Sequence, residues 1–101
     1  MKIDRVSDEK AIILPDSTID ISNSHQLKEK LLGLYDQGFT DIIIDFSQVK
    51  SIDSSGLGKL LLFHKKLKEK DGRLKIRNIN SEYIKKMFKM IHLYKVIDIE
   101  D

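Results

Sequence analysis

The 101-residue chain has no cysteine, no tryptophan and a single proline, Pro15. Without cysteine, disulfides and thiolate metal sites are excluded, and a reducing compartment is compatible with the composition. No apolar run approaches the ~20 residues that a membrane-spanning helix needs. The start, Met1-Lys2-Ile3-Asp4-Arg5, carries an acid early and lacks the apolar stretch of a signal peptide. These absences point to a soluble, cytoplasmic protein. At this length one domain, residues 1–101, is expected, with a core large enough to stand without staples.

The net charge of +2 is small but unevenly placed. Residues 1–49 hold five Lys/Arg against nine Asp/Glu, and residues 64–101 hold eleven against six. Such asymmetry can mark a nucleic-acid surface or an acidic partner. The basic residues are mostly lysines at helix-exposed spacing, without the interleaved aromatics and arginines of a nucleic-acid platform. They read as solvated helix faces, and no direct nucleic-acid contact is expected.

Periodicity supplies the elements. Ile3 to Ser7 reads as an edge strand and Ala11 to Leu14 as a second, the two joined by polar Ser7-Asp8-Glu9-Lys10 as a hairpin. Pro15, with no N–H to donate, stops the ladder. Ile19 and Ile21 read as anchors of a polar loop, with Asp20 between them. A helix starts near Ser22 or Ser24, carries Leu27, Leu31, Leu34 and Tyr35 on one stripe, and ends at Gly38. Asp41 to Phe46 contains three consecutive isoleucines, the pattern of a central strand covered on both faces. A second helix follows with Leu57, Leu60, Leu61, His64 and Leu67 inward. Asp71-Gly72 ends it. Arg73 to Arg77 alternates strictly and is expected near an edge. Ser81 caps a third helix with the stripe Ile84, Met87, Phe88 and Ile91, and Val96, Ile97 and Ile99 form a last strand. Helices between strands imply a mostly parallel sheet with crossover helices, and an antiparallel first strand. The fold class is α/β.

One stretch breaks local rules. Ser51-Ile52-Asp53-Ser54-Ser55-Gly56-Leu57-Gly58 leaves a buried strand and opens a helix, the place where ligands and partners meet an α/β domain. Two glycines in a first helical turn cost about 1 kcal/mol each relative to alanine. Ser54 reads as the N-cap, and the glycines as clearance for another protein's backbone around a hydroxyl. The same helix end suits a covalent phosphate, since orphan N–H groups and the dipole stabilise an anion there.

Catalytic readings fare worse. Ser54 and Ser55 lack the Gly-x-Ser-x-Gly elbow of hydrolases. His64 lies on an apolar face, where a hydrogen-bonded core histidine is the simpler reading, and His25 and His92 have no metal-ligand spacing. Asp45 and Asp53 flank one loop and suggest a phosphate-receiving aspartate with Mg²⁺. That chemistry needs an acidic pair after the first strand, where this chain has Pro15-Asp16-Ser17. No nucleotide fingerprint occurs. No catalytic residue, metal or cofactor is expected.

The run Val49 to Gly58, centred on Asp53-Ser54-Ser55-Gly56-Leu57-Gly58, closely resembles the phosphorylation motif of bacterial anti-sigma factor antagonists. These are single-domain members of the STAS group, named for sulfate transporters and anti-sigma factor antagonists. Ile19-Asp20 resembles the Leu-Asp before that family's first helix, Asp41 to Phe46 its central strand, and Met87 to Ile97 its third helix and final approach. The resemblance implies a protein without chemistry of its own. The unphosphorylated form would bind an anti-sigma factor that is also a serine kinase and so free a sigma factor for transcription. ATP-dependent phosphorylation at Ser54, rather than Ser55, would release the antagonist, and a phosphoserine phosphatase would reset it. Partner-binding residues implied are Asp20, Asp53, Ser54, Ser55, Gly56, Leu57, Gly58 and Lys59. Two departures stand out. Pro15-Asp16-Ser17-Thr18 replaces a usual glycine with an acidic or small neighbour, and the chain stops at Asp101 where many relatives continue into a helix, so a surface is expected to be open or used in assembly. Two other readings stay open: a STAS subunit regulating a signalling scaffold or transporter, and a small phosphoryl-accepting or hydrolytic enzyme using Asp53 and Ser54.

Overall fold

A computed structural model of the protein describes residues 1–100. The strands β1 (Lys2–Arg5) and β2 (Lys10–Leu14) form the expected antiparallel hairpin, Lys2 opposite Leu14 and Arg5 opposite Ala11. The Ser7 hydroxyl accepts the N–H of Lys10 at 3.1 Å and turns the chain between them. A two-residue strand, β3 (Thr18–Ile19), precedes α1 (Ser24–Asp36), and β4 (Asp41–Asp45) follows it. A second short strand, β5 (Ser51–Ile52), leads into α2 (Ser54–Lys68) and β6 (Arg73–Arg77). Then come α3 (Glu82–Met90), a 3-10 turn (Leu93–Lys95) and β7 (Asp98–Glu100). The main sheet runs β1-β2-β4-β6-β7, parallel except for β1, and β3 and β5 form a small parallel sheet apart from it. The α/β class, the mostly parallel sheet and the antiparallel first strand are as the sequence predicts. No described helix is long and apolar enough to cross a membrane.

Local chemistry explains the boundaries. Gly38 takes φ +95° just past α1, a conformation that costs a residue with a Cβ. The Ser81 hydroxyl accepts the N–H of Ile84 at 3.2 Å and caps α3. Leu27, Leu31 and Leu34 of α1 are buried, as the spacing predicts. In α2 the buried positions are Gly56, Leu60, Phe63 and Leu67, whereas Leu61 is exposed and His64 only half-buried. The apolar run Leu60 to Phe63 leaves the helix phase open, and close packing at Gly56, described below, selects it.

Helical side chains from Leu27 to Phe88 share one connected core with Ile42 and Ile44 of β4. Phe46 and Phe88 meet edge to face there at 5.9 Å between ring centres, worth about 0.5–1.5 kcal/mol beyond their burial. Ile43 is buried but lies outside this cluster, in register with Ile12 on one side and Lys75 on the other. The isoleucine run is therefore not covered by helices on both faces. Its second face is a row of charged neighbours, with Arg73–Asp98 at 3.9 Å, Lys75–Glu100 at 2.8 Å and Arg77–Asp45 at 3.1 Å. The same face accounts for the alternation of β6, which lies between β4 and β7, one strand in from the edge and so near it as expected. At the end of the chain Ile97 is buried, Val96 is exposed, and the strand starts only at Asp98.

Candidate functional site

Two short strands set the site. Thr18 pairs with Ser51 and Ile19 with Ile52, so the next residues, Asp20 and Asp53, lie side by side at one end of the small sheet. The Asp53 N–H donates to the Ile19 carbonyl at 3.0 Å. The first loop is held by its own side chains. The Ser22 N–H donates to Asp20 Oδ1 at 2.9 Å, and the Asn23 amide donates to the Thr18 carbonyl at 2.6 Å. Asn23 also accepts the Asp20 N–H at 2.9 Å, so it fixes the loop and does not cap α1 with its side chain.

Asp53, and not Ser54, is the N-cap of α2. Its backbone is extended, and its Oδ1 accepts the N–H of Ser55 at 2.9 Å, the N–H of Gly56 at 3.1 Å and the hydroxyl of Ser55 at 2.6 Å. The Ser55 hydroxyl is the largest influence, followed by the Gly56 N–H, and together with the other donors they hold the Asp53 carboxyl below the usual carboxylate range. The cap role expected of Ser54 is thereby corrected. Carboxylate and serine are both good caps, and the side chain with the extended backbone takes the position. Ser54 becomes the first helical residue. Its side chain is exposed, and its hydroxyl has no hydrogen bond to any described residue. Ser55 is half-buried with its hydroxyl engaged.

The two glycines have different reasons. A Cβ at Gly56 would meet Ile19 Cγ2 at 2.5 Å and Ile52 Cγ1 at 3.2 Å, so this glycine lets α2 close onto the small sheet. It is a packing residue, not clearance for a visitor. A Cβ at Gly58 would meet nothing within 4 Å, so folding gives no reason for glycine there. Leu57 is half-buried against the core, its N–H donating to the Asp53 carbonyl at 3.0 Å, and Lys59 lies half-buried at the seam between α1 and α2.

Ile21 also belongs to the site. It was expected as an anchor beside Ile19, yet Ile19 is fully buried and Ile21 is 82% exposed next to Asp20 and Asp53. The turn built by the Asp20 side chain breaks the strand alternation after one residue. An aliphatic residue inside the turn-forming run Asp20-Ile21-Ser22-Asn23 is the available signal.

Other candidates lie elsewhere. Asp45 is not brought to Asp53; it is buried at the end of β4. Burial alone would raise its pKa, but donors on Ser47, Arg77 (3.1 Å) and Asn78 (3.0 Å) prevail and lower it. His64 departs from the expected hydrogen-bonded core histidine. Its Nδ1 is buried without a partner, and desolvation, with Lys68 adding to it, pushes the imidazole below its usual pKa. His25 stands in solvent 3.5 Å from Glu29. Among the described residues no three His, Cys, Asp or Glu side chains gather as a metal site would require.

Comparison with known proteins agrees with this geometry. The family model of the STAS domain matches residues 2–101. The anti-sigma-B factor antagonist of Bacillus subtilis is 37% identical over 81 residues, covering 80% of this chain and 72% of that protein. Among solved structures, Thermotoga maritima TM1081 superposes with a TM-score of 0.87 at 23% identity, over 96% of this chain and 83% of that one. The anti-sigma factor antagonist SpoIIAA in its unphosphorylated form gives a TM-score of 0.78 at 24% identity, over 99% and 86%. Phosphorylated SpoIIAA gives 0.76 at 24% identity, over 97% and 88%. At these identities the structures speak for the fold. The chain belongs to the STAS domain family.

Proposed function

We propose that this STAS domain is an anti-sigma factor antagonist, active when unphosphorylated and switched off by phosphorylation of Ser54. The observation that carries the reading is the division of labour at the head of α2. Asp53 and Ser55 satisfy each other and the first N–H groups, leaving an exposed Ser54 hydroxyl with no internal partner. The Bacillus subtilis relative, an anti-sigma-B factor antagonist, supports the partner class, and SpoIIAA is a neighbour solved in both phosphorylation states.

The physics of the switch follows from placement. A kinase would direct the Ser54 oxygen at the γ-phosphorus of ATP, ADP leaving and the hydroxyl proton passing to a base on the kinase. The product adds about −1.5 to −2 charges and three acceptor oxygens. At the first turn of a helix this anion is stabilised by the dipole, so α2 stays folded. Beside Asp53 and Asp20 it turns the surface strongly acidic, and burying that charge under a partner is unfavourable. The effect is therefore on binding and not on fold. Partner contact falls on Asp20, Asp53, Ser54, Ser55, Leu57, Gly58 and Lys59, with Ile21 added as the exposed apolar residue among them; Gly56 supports the site from beneath. The partner is an anti-sigma factor with serine kinase activity, a phosphoserine phosphatase reverses the modification, and the setting is the cytoplasm.

Incubation with the cognate anti-sigma factor and ATP, followed by mass spectrometry, tests the site. A single phosphate on Ser54 is expected. Label on Ser55, or acid-labile label on an aspartate, overturns the assignment.

A further inference from the structure

The seam between α1 and α2 holds a cleft of about 90 Å³, lined by Leu32, Leu62 and Phe63 with Lys28, Lys59 and Lys66 around them. Folding accounts for Phe63, which is buried, but not for Leu62, which is 66% exposed. On α2, Lys59, Leu62 and Lys66 recur at i, i+3 and i+7, and on α1, Lys28 and Leu32 at i and i+4, so both rows face one channel. The lining contains no carboxylate, and α2 as a whole has four lysines and no acid. No described carboxylate lies within ion-pair distance of Lys28, Lys59 or Lys66, and the nearby Glu29 of α1 is turned to His25. Lys66 instead stands over the Tyr35 ring at 4.8 Å, with Lys70 beside it at 3.6 Å. Lys59 lies five residues beyond Ser54, about 7.5 Å along the helix axis, so the cleft opens from the phosphorylation end.

We infer that this cleft is a second contact for the anti-sigma partner, taking an acidic amphipathic segment with one apolar side chain seated on Leu62 and Phe63 and carboxylates on Lys28, Lys59 and Lys66. The inference rests on the antagonist reading above and extends it to a surface that phosphorylation does not touch. Charge decides the chemistry, since ammonium groups with no carboxylate partner around an apolar floor complement carboxylates around an apolar knob. Size decides between a peptide and a lipid. A cleft of about 90 Å³ seats one leucine-sized anchor and does not enclose an extended acyl chain.

The test measures binding of the cognate anti-sigma factor to Ser54→Ala protein, alone and with added substitutions. Lys28→Glu with Lys66→Glu, and separately Leu62→Gln, should each weaken binding at least tenfold. Lys86→Glu with Lys89→Glu on α3, the same change in net charge, should leave it within twofold. Lys28, Leu62, Lys86 and Lys89 are exposed and Lys66 is half-buried over Tyr35, and thermal melting checks that the variants fold. If the seam variants weaken binding no more than the α3 control, the inference is wrong. If Ser54→Ala itself does not bind any anti-sigma factor, the antagonist reading fails, and a second arm still judges the cleft. In that arm a 16-residue amphipathic peptide of Glu and Leu is titrated against ¹⁵N-labelled protein. Amide shifts at Leu32, Leu62 and Phe63, absent with the matching Lys and Leu peptide, support the cleft. No shift there, equal shifts with the basic peptide, or shifts produced only by phosphatidylglycerol vesicles overturn it.

Discussion

The hydroxyl of Ser55 donates to Asp53 Oδ1 at 2.6 Å, and this one bond distinguishes two adjacent serines. Ser55 is engaged in holding the cap, while Ser54, one residue earlier, is free. Ser55→Ala should leave phosphorylation at Ser54 intact and let the Asp53 carboxyl move back up towards its ordinary value, as a carboxyl-carbon NMR titration would record. Asp53→Ala should loosen the first turn of α2, seen as faster amide exchange at Ser55 and Gly56. The folded Asp53 carboxyl lies below its unfolded value, so its contribution is complete above the usual carboxylate range. It is lost as pH falls through the depressed pKa.

The glycines give opposite predictions. Gly56→Ala puts a methyl 2.5 Å from Ile19 Cγ2, and overpacking of this kind costs about 1–3 kcal/mol. Gly58→Ala meets nothing and removes backbone freedom from the unfolded chain, so it should stabilise by about 0.5–1 kcal/mol. If Gly58 leaves room for the kinase, the same substitution slows phosphorylation of a more stable protein. Urea melts together with phosphorylation rates separate the two; a Gly58→Ala protein that is more stable and equally good as a substrate removes Gly58 from the contact surface.

His64 should make stability depend on pH near neutrality. Its folded pKa is below the ordinary imidazole value of 6.5, so the unfolded chain binds the proton more readily. The stability associated with the neutral ring is present above that unfolded value and declines as pH falls through it towards the folded pKa. His64→Gln should flatten the part of the pH–stability curve just below 6.5, and a histidine carbon-proton titration should place His64 below that ordinary imidazole value. A wild-type curve unchanged by His64→Gln would show that another group sets the dependence.

What could be read from the sequence was what depends on neighbours along the chain. Three isoleucines between Asp41 and Asp45, leucines at 27, 31 and 34, Gly38 past a helix and Ser81 before one each carry their own geometry, and each stands where expected. The Asp-Ser-Ser-Gly motif likewise places its serines at a helix start. What failed depends on contacts across the fold. Phe63 and not Leu61 faces inward because Gly56 locks onto Ile19 and Ile52. Ile21 is exposed because Asp20 turns the chain. Asp53 replaces Ser54 as the cap because its backbone is extended where the helix begins. None of these follows from composition or period.

The central claim is that one phosphate on Ser54 abolishes partner binding while leaving the fold in place. The most direct measurement is calorimetric titration of the cognate anti-sigma factor with unmodified protein and with protein stoichiometrically phosphorylated at Ser54, with thermal melts of both. Binding at least a hundredfold weaker is expected for the phosphorylated form, about 2.7 kcal/mol or more, with closely similar melting. Equal affinity of the two forms, or loss of binding accompanied by unfolding of α2, would contradict it.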